Sequence, residues 1–165
     1  MWLASIIFFQ VVIVALHERM QAKAPCLTRL MLIAAAITTA MAIAESIINL
    51  KCVAMIISQQ DLSAFRACFA VTQGLHGANG HAGAWTYLFL GLAVLKTRAF
   101  SRIIGMLSVL IGILWIPNFF IIEIGFKLLT PIYIGLCAVA TIWIGIALLR
   151  QTPFQTTSKE LAASR

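Results

Sequence analysis

The chain has 165 residues, of which 62% are hydrophobic and only 10% charged, with a formal net charge of +7 and a mean hydropathy of +1.00. Water-soluble domains carry about 45–50% apolar and about a quarter charged residues, so there are too few polar side chains here to cover a water-facing surface. Soluble enzyme folds and disordered chains are excluded, and four scattered cysteines do not make a disulfide scaffold.

A helix crossing about 30 Å of hydrocarbon needs about 20 mostly apolar residues. Five stretches meet that demand, at about 1–17, 30–50, 75–95, 103–126 and 128–149, which predicts an all-α polytopic transmembrane helix bundle over 1–149. The first opens at Met1 with no basic residue ahead of it, unlike a cleavable signal peptide, and reads as a retained span. It is also the shortest, which leaves room for a missing upstream helix. Trp2 suits the outer aromatic belt. Residues 18–29 are a short polar turn leading into the second span. Residues 51–74 allow two readings: a short interfacial helix capped by Asp61, with Leu62, Phe65 and Phe69 on one face, or a plain extension of the neighbouring spans. Residues 96–102 form a second polar turn before spans four and five. The Ser/Thr/Gln-rich segment 150–165 reads as a flexible cytoplasmic tail.

Lys and Arg set the orientation, because basic loops are retained on the cytoplasmic side. Arg19, Lys23 and Arg29, then Lys96, Arg98 and Arg102, then Arg150, Lys159 and Arg165 fall in alternate connections; Lys51, Arg66 and Lys127 fall in the others. Five spans with the amino end outside and the carboxyl end inside put all three richer clusters on one face. The positive charge is thus mainly a topology signal, with the lipid bilayer as the expected partner and no nucleic acid.

Polar side chains inside a bilayer need a partner or a watery cavity. Counting rise along spans two, three and four brings Glu45, His81 and Asn118 to one layer in the outer third, with Asn49, His76, Asn79, Glu123 and Tyr133 above or beside them. The cytoplasmic half has almost nothing comparable. A ligand site of Glu45, Asn49, His76, Asn79, His81 and Asn118 is one reading. The other is ordinary packing: Glu45 as a protonated, hydrogen-bonded carboxyl, Asn118 stabilising a kink at Pro117, Glu123 and Lys127 as an interfacial helical pair, and Lys51 as a snorkelling flank.

The segment "GLHGANGHAGAW" strips bulk from a helix surface at Gly74, Gly77, Gly80 and Gly83. Close approach of another helix is expected there, within the chain or in a homo-oligomer through Gly77–Ala84. His76 and His81 are five apart, about 140° around a helix, so they do not grip one metal together unless the glycines break the helix. Each is left as a haem or quinone ligand with a partner elsewhere, or as a hydrogen-bonded bundle histidine. Cys52 and Cys68 fall on the predicted outer side, where oxidising conditions permit a disulfide, although unpaired thiols are the expectation. Trp85, Trp115 and Trp143 are expected to be packing residues. No phosphate-binding loop, HExxH, GxSxG or paired-cysteine zinc spacing occurs.

The stretches "AWTYLFLGLAVLKTRAFSRIIGMLSVLIGILW" and "TPIYIGLCAVATIWIGIALLR", residues 84–150, resemble the bacterial multi-pass membrane proteins of the domain-of-unknown-function 4386 family. The shared features are a Trp-bearing helix, a basic turn into a Gly-containing helix, and a closing helix with Trp143 and Gly145. The resemblance implies an inner-membrane protein and supplies no catalytic residues. The leading functional expectation is a non-enzymatic structural or interaction role, with no cofactor specified. The alternatives are a small transporter or lipophilic-ligand binder with a polar pocket in the outer half of the bilayer, and a haem- or quinone-binding redox protein.

Overall fold

The computed structural model describes residues 2–59, 62–122 and 129–150, with side chains described over most of that range. Five helices and no strands make up the described residues: α1 (Trp2–Met20), α2 (Pro25–Gln59), α3 (Leu62–Thr97), α4 (Arg102–Ile122) and α5 (Leu129–Arg150). The apolar runs therefore became helices, but two are much longer than hydropathy implied. α2 has 35 residues and α3 has 36, so the expected spans 30–50 and 75–95 are only parts of them. Of the two readings of 51–74, the structure takes helix extension; Asp61, the expected cap, lies outside the described residues, as do Glu123, Lys127 and the tail beyond Arg150.

Local chemistry explains the turns. Pro25 opens α2 at the first helical position, where a missing N–H costs nothing, and Thr28 Oγ1 donates back to the Ala24 carbonyl at 3.0 Å. α3 ends as Arg98 takes a left-handed conformation, φ 53°, with its N–H on the Val94 carbonyl at 2.9 Å. Ser101 then caps α4, its Oγ accepting from the Ile104 N–H at 3.4 Å. The Arg19 guanidinium lies 5.4 Å from the Phe100 ring centre, which fixes the α1–α2 and α3–α4 turns at the same end of the bundle.

α3 is the central helix, in contact with α1, α2 and α4, and its Tyr87 hydroxyl is 2.9 Å from Thr141 Oγ1 on α5. The tightest packing is between α3 and α4. A methyl group at Gly91 would lie 2.6 Å from the Val109 nitrogen and 2.7 Å from the Gly105 oxygen; one at Gly112 would lie 2.8 Å from the Leu88 nitrogen. Backbone meets backbone there, the close approach that small residues permit between membrane helices. The core, including Ile13, Leu16, Met31, Leu90, Ile104 and Ile144, clusters toward the end that carries the two turns.

The other end is built differently. Gln10 Oε1 accepts from Thr39 Oγ1 at 3.1 Å, so Trp2, eight residues earlier, comes level with about residue 47 of the antiparallel α2. Trp115 beside Gly80 and Thr141 beside Tyr87 bring the described ends of α4 and α5 level with about residues 73–75 of α3 by the same count. Beyond that level, among the described residues, α2 and α3 stand alone as a hairpin about 18 Å long. A disulfide joins Cys52 to Cys68 within it, Cα atoms 5.7 Å apart, which corrects the expectation of unpaired thiols.

Candidate functional site

The one ion pair among the described residues joins the two long helices where the hairpin leaves the base. His76 Nδ1–H donates to Glu45 Oε1 at 3.0 Å; the Glu45 side chain is 14% exposed and the His76 ring 58%. Sequence places the two acceptor and donor groups 31 positions apart, and only the antiparallel register of α2 and α3 brings them together. The second carboxylate oxygen, Oε2, is buried and has no hydrogen-bond partner among the described residues. An oxygen left without a partner in this way has the geometry to accept a further hydrogen bond.

The other expected members separate from this pair. His81 lies about 7.5 Å farther along α3 than His76, so it does not share the Glu45 layer. Its Nε2 accepts from Trp85 Nε1–H at 3.2 Å, one turn along the same helix, and the two rings meet edge to face. α3 runs through the glycines without a break, and His76 and His81 bond to different elements. Asn118 falls near the His76 level by the same register, but its side chain lies outside the described residues, as do those of Tyr133 and Trp2. Asn49 is exposed, and Asn79 is half-buried.

The small-residue segment packs inside the chain. A methyl group at Gly80 would come within 2.8 Å of Trp115 Nε1, and Gly83 and Ala84 are buried, the Ala84 carbonyl lying 2.9 Å from where a Gly112 methyl would sit. Gly74, at the segment's start, faces open space. Of the three tryptophans expected to pack, Trp115 does, whereas Trp85 and Trp143 are exposed. No group of three His, Cys, Asp or Glu side chains among the described residues is arranged to hold a metal ion.

Sequence reasoning missed a polar contact in the half of the bundle nearer the basic turns, where almost none was expected. Tyr87 bonds Thr141 at 2.9 Å and packs against Phe9, ring centres 6.5 Å apart, so one phenol ties α1, α3 and α5. Its two polar ends are 54 positions apart and neither belongs to a motif. The α3–α4 glycine seam did leave a signal: Ala84 and Gly91, like Gly105 and Gly112, recur at seven residues, two helical turns.

Comparison with protein-family models, with curated proteins and with solved structures gave no match to this chain.

Proposed function

We propose that this chain is an integral membrane protein of five spans, amino end outside and carboxyl end inside, with a structural or interaction role displayed on its outer face. The observation that carries the reading is the belt of exposed large apolar side chains on four helices of the bundle: Phe8 at 65%, Ile33 at 58%, Ile113 at 55% and Ile142 at 63%. Water-soluble surfaces scatter such residues singly, and a bilayer solvates a continuous belt of them. Only Pro25–Met55 is long and apolar enough on its own to qualify as a span among the described residues. Length supports the others: α1, α4 and α5, at 19, 21 and 22 residues, are about 28–33 Å long, matching one hydrocarbon layer. The two basic turns lie at one end and the disulfide at the opposite end, as a reducing, positively flanked inside and an oxidising outside require.

Impermeant thiol labelling tests the threading. With Cys26 and Cys137 changed to Ser, single cysteines at Lys23 and Lys96 are expected to react only from the cytoplasmic side of the membrane. Reaction of the two from opposite sides would overturn the topology.

A second reading, ligand binding at the outer rim, is favoured by the unsatisfied Glu45 Oε2. It predicts that Glu45→Gln loses ligand response while the protein still folds; a variant that responds like the parent removes this reading.

A further inference from the structure

We infer that Cys52 and Cys68 form a reversible dithiol–disulfide couple, open to exchange with an external thiol through Cys68, and that the fold already provides for the reduced form. Each sulfur faces an oxygen of the opposite helix: Cys52 Sγ lies 3.7 Å from Thr72 Oγ1, and Cys68 Sγ lies 3.8 Å from the Ile48 carbonyl oxygen. A disulfide sulfur carries no hydrogen, and the single hydroxyl proton of Thr72 is donated to the Cys68 carbonyl at 3.1 Å. In the oxidised state these two approaches therefore join no donor to an acceptor. Reduction puts one hydrogen on each sulfur, and each S–H then has an acceptor waiting on the facing helix.

Two further features separate this link from a fixed staple. Glu45 and His76 lie outside the loop that the disulfide closes, one on each arm, so their bond still ties α2 to α3 when the sulfur bond opens. Exposure differs between the two sulfur-bearing residues: Cys52 is buried, at 2%, and Cys68 is half-buried, so an incoming thiolate reaches Cys68 first. A thiol is the only co-reactant the chemistry needs. Its thiolate sulfur bonds to Cys68 Sγ, the Cys52–Cys68 bond breaks, and Cys52 leaves as a thiolate that takes a proton from water and turns to Thr72. A second external thiolate then attacks the first external sulfur in the mixed disulfide, and Cys68 leaves and is protonated in its turn. The two external thiols depart joined as a disulfide, and the pair has gained two electrons and two protons. An external disulfide runs the same steps backwards. Neither direction of threading through the membrane enters this reasoning.

The test uses the full chain in mild detergent, with Cys26 and Cys137 replaced by Ser. The protein is equilibrated with graded ratios of reduced to oxidised dithiothreitol, quenched in acid, denatured and alkylated with a mass-tagged maleimide. Two tags are expected to appear together and to disappear on reoxidation, while thermal unfolding stays cooperative at every ratio. A disulfide that yields only after denaturant is added, or whose reduction abolishes cooperative unfolding, overturns the couple and marks the link as a structural staple. Two single-thiol variants test the point of entry: Cys52→Ser leaves Cys68, which is expected to release the chromophore of an aromatic disulfide about tenfold or more faster than the Cys52 left by Cys68→Ser. Equal rates, or a faster Cys52, overturn entry through Cys68. Thr72→Val removes one waiting acceptor, and the ratio of reduced to oxidised dithiothreitol needed for half-reduction is expected to rise by about twofold, the low end for a hydrogen bond from a weak donor. An unchanged ratio overturns the role given to Thr72. Each of these failures leaves the membrane reading intact, since none reports on topology.

Discussion

The two ends of this bundle hold helices together by different means. At the end with the basic turns, five helices share a core, and glycines let α3 and α4 touch backbone to backbone. At the other end, among the described residues, two helices continue without the others, joined by a disulfide and a carboxylate–imidazole pair, with apolar side chains exposed. Stability in the first region comes from shape and is spread over many contacts; in the second it is concentrated in two side-chain links. Damage to the base should therefore be global, and damage to the hairpin local.

The largest effect is expected at Gly91. A Leu there meets the Val109 nitrogen and the Gly105 oxygen, neither of which yields as a side chain would, and the cost is about 3 kcal/mol or more. Thermal unfolding in detergent should show a lowered Tm or no folded protein, and an unchanged Tm would mean that α3 and α4 are not in backbone contact.

Replacing Cys52 and Cys68 by Ser opens a link across 16 positions, worth about 3 kcal/mol in a chain-entropy view. Hydrogen exchange should quicken in 46–75 and stay unchanged around Leu90 and Ile104. Uniform quickening would erase the distinction between the two regions.

Tyr87→Phe removes one hydrogen bond from the base, and about 1 kcal/mol is the expected loss, read from the same unfolding curves. The smallest changes are gains. Arg98→Gly relieves a left-handed residue and Gly74→Ala adds a methyl group in open space on a helix, each worth up to about 1 kcal/mol. A loss at Gly74→Ala would reveal a neighbour on that face of the hairpin.

Most of the helix content was legible because apolar runs separated by Lys- and Arg-bearing turns leave few alternatives to helix. The ends of α2 and α3 were not, since Lys51 and Arg66 lower hydropathy without breaking a helix; hydropathy reports a solvent preference, and these residues keep their backbone bonds in either solvent. For the candidate site, Glu45 was legible as an ionisable group in an apolar stretch, but its partner was not. Counting rise from assumed span ends selected His81, and the longer α3 shifts that register by about a turn and a half, to His76. Cysteine pairing and the Tyr87–Thr141 bond depend on which faces of two helices meet, which a single sequence encodes only through packing.

The contact at Gly91 also bears on how this molecule can change shape. Where Gly91 and Gly112 bring the α3 and α4 backbones together there is little side-chain bulk to repack, so the two helices are expected to travel as one rod. Any rocking within the base is then left to α5, hinged on the phenol of Tyr87, and to α1, so the moving parts lie at the two ends of the chain and the fixed axle at its middle.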